Sequence, residues 1–156
     1  MASGRLGYPG RVAPRRLVYL YVGSGDVGRD VAFYRDQLGG ALVWRFKSFG
    51  AEVAAVRLGE GPLVLLADHR PVPSVLQIWA VEDVDRAEEA LTAAGWKDSA
   101  TRVEVPDGPC LVLGDPSGNE IGLLAQVRPG VLENSWEDEA NPRAVRDEAP
   151  GPPGSD

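Results

Sequence analysis

The chain repeats itself, and that constrains its fold more than anything else in the sequence: the order strand, helix, strand, strand, strand is written twice between residues 17 and 126. Leu17 to Val22, rich in β-branched and aromatic residues, predicts a strand. Asp26 is placed to cap a helix whose apolar positions Val27, Val31, Phe33, Tyr34 and Leu38 form one stripe, and Gly39-Gly40 stops it. Strands over Ala41 to Phe49, Ala51 to Leu58 and Leu63 to Ala67 follow, separated by Gly50 and by Gly59-Glu60-Gly61-Pro62. Then the order recurs. Val75 to Val81 predicts a strand, Asp83 caps a helix carrying Val84, Ala87, Ala90, Leu91 and Ala94, and Gly95 ends it. Strands at Thr101 to Val105, Pro109 to Leu113 and Glu120 to Ala125 complete the second half, the last two joined by Asp115-Pro116-Ser117-Gly118-Asn119. Aligning Asp26 with Asp83 also matches Val27 to Val84 and Arg29 to Arg86. Halves of about 50 residues are too small to be stable alone, so the two must share an interface, and a pocket forms there.

The flanks differ from this core. Residues 1–16 carry Arg5, Arg11, Arg15 and Arg16 without an acid and read as a flexible basic arm. Residues 130–156 hold acids and end in Pro150, Gly151, Pro152, Pro153 and Gly154, reading as an acidic disordered tail. Val131, Leu132 and Trp136 give that tail a means of docking on the domain or on a neighbouring subunit. Residues 17–129 are then one domain with modules at about 17–70 and 74–126. The net charge of −7 argues against nucleic acid and anionic membranes as partners. No apolar run approaches the roughly 18 to 20 residues of a membrane span, and the first residues lack a signal peptide's apolar stretch. Cys110 is the only cysteine, so no disulfide or cysteine zinc cage forms within the chain, and a reducing cytoplasm fits. With no activating base near it in sequence, Cys110 reads as a small buried apolar residue.

The stretch Asp26-Val27, Arg29 and Ala32-Phe33-Tyr34-Arg35-Asp36 before Leu38-Gly39 resembles the vicinal oxygen chelate superfamily of glyoxalase I, extradiol dioxygenases, fosfomycin-resistance transferases and bleomycin-binding proteins. So do Val81-Glu82-Asp83-Val84-Asp85 with Ala94-Gly95, and the Asp115-Pro116-Ser117-Gly118-Asn119 turn before a terminal apolar strand. The resemblance covers residues 17–126 and implies an α+β fold of two βαβββ modules, a curled mixed sheet around a cleft. It also implies a homodimer by default. On physical grounds, Phe33 and Tyr34 read as packing residues and the Asp-Pro turn as turn chemistry; neither performs catalysis.

In the metal-dependent members the first and last strands of both modules each present a His, Glu or Gln to the cleft. Carried over, these positions fall on Tyr19, or Val18 if Gly23-Ser24 is a bulge; near Val64, with Leu63 and Leu65 as neighbouring registers; on Leu76; and on Gly122. None is a metal-ligating side chain, so no metal and no cofactor are expected. Glu120, two residues before Gly122, shares its face but lies nearer the cleft mouth, and Gln77 alternates to the opposite face from Leu76. His69, the sole histidine, reads either as a surface linker residue or as an acid or base at the pocket rim. Gly23-Ser24-Gly25-Asp26-Val27-Gly28 fits the dinucleotide-binding spacing. However, Asp26 would oppose a pyrophosphate and the tight turns between the following strands exclude a doubly wound parallel sheet, so the glycines read as a bulge leading into the helix.

Strand alternation then points Tyr19, Tyr21, Leu76, Ile78, Glu120 and Leu124 into the cleft, with either Trp44 and Phe46 or Arg45 and Lys47 facing it from the second strand; the aromatic pair is favoured. Such a slot suits a flat aromatic or amphipathic small molecule held by stacking. The expectation is a metal-independent binder that sequesters a drug or metabolite. The alternative is a lyase or isomerase of the same fold using His69, Glu120 or a tyrosine as acid or base, and a third reading makes the acidic tail a protein-interaction element.

Overall fold

The computed structural model describes residues 11–48 and 50–146. Its first module consists of β1 (Arg16–Gly23), α1 (Val27–Ala32), β2 (Ala41–Ser48), β3 (Ala51–Arg57) and β4 (Leu63–Ala67). The second consists of β5 (Val75–Ala80), α2 (Val84–Ala93), β6 (Thr101–Val105), β7 (Gly108–Gly114) and β8 (Glu120–Leu124), followed by α3 (Val131–Glu137). The repeated caps work as read: Asp26 accepts from the Arg29 amide at 2.9 Å and Asp83 from the Arg86 amide at 3.0 Å. Gly39 and Gly95 leave the two helical segments with φ of 74° and 97°, a region costly for residues bearing a Cβ.

The eight strands among the described residues form one curled mixed sheet in the order β2-β3-β4-β1-β5-β8-β7-β6. Within each module the first and last strands run parallel, β1 with β4 and β5 with β8. The modules meet where β1 pairs antiparallel with β5, Tyr19 opposite Ile78 and Tyr21 opposite Leu76. The alignment of Asp26 with Asp83 is an offset of 83 − 26 = 57, which makes Leu76 the counterpart of Tyr19 and Ile78 that of Tyr21. Equivalent strands therefore cross at a pseudo-twofold axis, and antiparallel pairing is what such an axis requires.

One face of the sheet is covered by the helices. Val27 and Val31 of α1 pack with Ala54, Val56, Val64 and Leu66, while Val84 and Ala87 of α2 pack with Leu111, Leu123 and Ala125. The other face is the concave one, carrying Trp44, Ala55, Leu63 and Leu65 from the first module and Leu76, Ile78, Cys110 and Leu124 from the second, with Tyr19 and Tyr21 touching both groups.

Four expectations are corrected. The first helix is shorter than its apolar stripe suggested, because Phe33–Gln37 continue α1 as a π-helical turn. The wider turn leaves Phe33 and Leu38 exposed, so of the expected packing residues Phe33 and Tyr34 only Tyr34 packs on the sheet. The register shift of β1 falls between Leu17 and Tyr19 and not at Gly23-Ser24. Gly23 instead lies so close to Pro71 that a Cβ there would stand 1.9 Å from the Pro71 carbonyl oxygen. The basic arm ends earlier than residue 16, since the Arg15 amide donates to the Ala80 carbonyl at 2.8 Å and Arg16 opens β1; residues 1–10 lie outside the described residues.

The fourth correction concerns the segment after 130. Residues 131–146 are structured: α3 packs on β2, Ala144 forms an antiparallel bridge with Phe46, and the Val145 amide donates to the Arg45 carbonyl at 2.7 Å. Composition favoured disorder, but β2 is an edge strand whose free amides and carbonyls offer this segment partners. Residues 147–156 lie outside the described residues.

Candidate functional site

The site is built on β1, the central strand, because its alternation sends Tyr19 and Tyr21 to the concave face. The eight residues expected to line the cleft lie on this face, but they are not equally accessible. Trp44 is 2% exposed. Its ring lies 5.2 Å from that of Phe46, which in turn meets Trp136 edge-on at 6.4 Å. A bulge between Leu42 and Trp44 makes this possible: Leu42 packs toward α1, whereas Val43 and Trp44 turn to the cleft. The aromatic wall of β2 is thus covered by the chain's own α3, and the open part of the cleft runs along the two tyrosines.

Each tyrosine ends in a polar cluster. The Tyr21 hydroxyl shares a 2.8 Å hydrogen bond with His69 Nε2, and the Arg70 guanidinium stands over the Tyr21 ring at 5.8 Å. Arg70 is paired with Glu120 at 2.6 Å and keeps a buried Nε without an acceptor among the described residues. Burial pushes the Tyr21 hydroxyl up to about 12 despite the opposing effect of Arg70, so it stays protonated at any physiological pH. His69 and Glu120, far apart in sequence, are thereby brought to one end of the cleft. Gln77 turns to the opposite face, where it accepts from Trp79 Nε1 at 3.2 Å.

At the other end, the Tyr19 hydroxyl donates to Asp107 Oδ2 at 2.7 Å. Gln126 Nε2 approaches the same oxygen at 3.5 Å, and Arg16 donates to Gln126 Oε1 at 2.9 Å. Asp107 is 2% exposed. It is buried because the β6–β7 turn is pressed under the chain beyond β8: a Cβ on Gly108 would stand 2.0 Å from the Ala125 carbonyl oxygen, and the Arg128 amide donates to the Asp107 carbonyl at 2.9 Å. A cavity of about 540 Å³ opens here, bounded by Tyr19, Leu63, Asp107 and Gln126 and rimmed by Arg57 and Glu60. Sequence reasoning missed Asp107, since Pro106-Asp107-Gly108 carries only a turn signal.

The fold's four metal-ligand positions can now be judged in place. Tyr19 stands opposite Leu63, Tyr21 opposite Leu65, and Ile78 opposite Gly122. Val64 is corrected to the helix-covered face, leaving Leu63 and Leu65 as the cleft residues of β4. Gly122 is closely packed, its Cβ position lying 3.2 Å from both Cys110 Sγ and Ile78 Cγ1. Burial pushes the Cys110 thiol up to about 11, so it is a poor thiolate ligand. Among the described residues no three His, Cys, Asp or Glu side chains are grouped to hold a metal ion. A phenol, aliphatic chains and a glycine do not make a divalent-cation site.

Two half-barrel modules joined at antiparallel first strands around a cleft define a protein of the glyoxalase type. The family model for the Glyoxalase/Bleomycin resistance protein/Dioxygenase superfamily matches residues 16–123, and the chain belongs to that superfamily. Methylmalonyl-CoA epimerase from Mycobacterium tuberculosis is similar in fold, with a TM-score of 0.58 and 19% identity over 79% of this chain and 94% of that one. A superfamily member from Vibrio splendidus gives 0.54 at 16% identity, over 72% and 98% of the two chains. Homoprotocatechuate 2,3-dioxygenase from Brevibacterium fuscum, in complex with 3,4-dihydroxyphenylacetate, gives 0.57 at 21% identity over 81% of this chain and 41% of that one. No curated protein matches the chain significantly. Among the described residues no helix is long and apolar enough to cross a membrane.

Proposed function

We propose that this chain binds a small, partly apolar molecule in its cleft through side chains alone, without a divalent cation, and that it does so to sequester or carry that molecule. The observation that supports this most directly is the residue set at the four positions where the fold's metal-dependent members hold their ligands: Tyr19, Leu63 or Leu65, Leu76 and Gly122. A tyrosine-lined apolar floor ending in a cavity of about 540 Å³ is of the size small-molecule sites use.

The test is dialysis of the purified protein against zinc, nickel and manganese, followed by elemental analysis and native mass spectrometry. Metal well below one equivalent, with a co-purifying small molecule, is the expected result. One tightly held equivalent would overturn the reading. The same spectra report whether the chain is the homodimer we propose by analogy with its family.

A second reading, a lyase or isomerase, is favoured by one feature. Tyr21, His69, Arg70 and Glu120 place a proton donor, an imidazole and a carboxylate at one end of the cleft. Tyr21→Phe and His69→Ala separate the two readings: an enzyme loses turnover while keeping affinity for its substrate, whereas a binder loses only affinity.

A further inference from the structure

We infer that Asp107 anchors a ligand amine, so that the cleft takes a molecule carrying a protonated amine at one end of an apolar body. This rests on the binding function proposed above and adds the chemistry of the ligand's polar end. A carboxylate that is 2% exposed is costly unless it is hydrogen-bonded and paired. Asp107 is only partly satisfied. Oδ2 has the Tyr19 hydroxyl at 2.7 Å and a marginal contact with Gln126 at 3.5 Å, both neutral donors, whereas Oδ1 has no donor among the described residues. Among the described residues no basic side chain forms an ion pair with it.

Nor is Asp107 spent on its own turn, as aspartates in turns commonly are. Asp26 and Asp83 cap helices, and Asp115 accepts from the Ser117 and Asn119 amides at 2.9 and 2.8 Å. The Asp107 side chain takes no backbone donor among the described residues, only the side chains of Tyr19 from β1 and Gln126 from the neighbouring segment. Of the nearby cations, Arg16 is turned to Gln126 Oε1 and the Arg128 guanidinium to the Pro106 carbonyl and Glu104, and neither reaches the carboxylate, which is left to neutral groups.

The charge decides the ligand. The cavity wall as a whole is balanced, Arg16 and Arg57 against Glu60 and Asp107, but at the Asp107 end the under-satisfied carboxylate favours an N–H cation over an anion, and the Tyr19 ring beside it adds an aromatic surface that such a cation also favours. A single carboxylate is too few donors for a metal ion. Leu63, with Leu17 and Val18 of the cavity wall, then receives the apolar body.

Three probes of nearly equal size test this: phenethylamine, phenethyl alcohol and hydrocinnamate, titrated calorimetrically into the full chain at neutral pH. The amine should bind roughly tenfold or more tightly than the alcohol, as one charge-assisted hydrogen bond allows, and the acid least. Asp107→Asn should bring amine and alcohol within roughly threefold of each other. In case that variant does not fold, the carboxyl-carbon resonance of Asp107 in the wild type should move with the amine and stay with the alcohol. Equal binding of all three probes overturns the inference but leaves the binding function standing, as does a preference that survives Asp107→Asn. Failure of all three probes to bind also overturns it, and the metal-retention experiment then judges the binding function separately.

Discussion

At the scale of single residues, the cleft depends on close approaches that tolerate no added atom. Gly23 ends β1 where its α-carbon faces the Pro71 carbonyl, with the Cβ of any other residue 1.9 Å from that oxygen. Backbone cannot step aside as a flexible side chain can. Gly23→Ala should therefore lower stability by about 3 kcal/mol and the Tm by roughly 6–12 °C, measured by calorimetry. Protonation supplies a second prediction. Burial raises the Tyr21 hydroxyl to about 12 and the Cys110 thiol to about 11, from ordinary values of 10.0 and 9.0. For each, the unfolded chain loses its proton first as pH rises, so the unfolded state binds fewer protons and folding stability falls. Stability from these groups is complete below pH 9.0, declines as Cys110 and then Tyr21 enter their windows, and is gone above about 12. Urea melts from neutral to alkaline pH should show that decline, and Tyr21→Phe should remove its upper part.

Among the elements, α3 and the strand-like stretch after it change what the cleft presents. Trp136 rests on Phe46, the Arg146 guanidinium stands over its indole at 5.4 Å, and Arg146 also donates to the Trp136 and Asp138 carbonyls. These contacts hold the segment along the edge of β2, where the Lys47 amide donates to the Arg143 carbonyl at 3.1 Å. Trp136→Ala should free the segment while leaving the sheet folded. The expected sign is faster hydrogen exchange at the Lys47 and Val145 amides, by about tenfold for each 1.4 kcal/mol lost, with the amides of β4 unchanged. The same variant uncovers Phe46, so binding of flat aromatic compounds should rise.

For the whole molecule, the pseudo-twofold axis between β1 and β5 makes the modules structurally alike and chemically different. Tyr19 and Tyr21 on one side of the axis face Leu76 and Ile78 on the other. Both cleft tyrosine hydroxyls thus come from the first module, while Asp107, which accepts from Tyr19, and Glu120, which pairs with Arg70 beside Tyr21, come from the second. Neither half holds a site alone. Nor is either half expected to fold alone, because parting β1 from β5 exposes two central strands and their apolar faces to water. A fragment ending at residue 72 should show no cooperative unfolding transition by circular dichroism.

Much of this architecture was legible in the sequence because it is set by local chemistry: Asp26 and Asp83 cap, Gly39 and Gly95 terminate, and alternation assigns Tyr19, Tyr21, Leu76 and Ile78 to one face whatever the rest of the chain does. The repeat then implied two modules, and the residues at the metal positions are fixed by sequence once the strands are. What alternation cannot report is a bulge, so the shifts at Leu17–Tyr19 in β1 and Leu42–Trp44 in β2 were not legible, and on β4 the choice of Val64 over its neighbours Leu63 and Leu65 needed the sheet's register. Nor does composition report an edge strand's unmet hydrogen bonds, which order residues 131–146 against β2 and bury Trp44. Asp107 marks the boundary most clearly. Its sequence neighbours make it a turn residue, and only the folding of that turn beneath the chain at Ala125, which brings it to the Tyr19 hydroxyl 88 residues away in sequence, turns it into a buried carboxylate on the cavity wall.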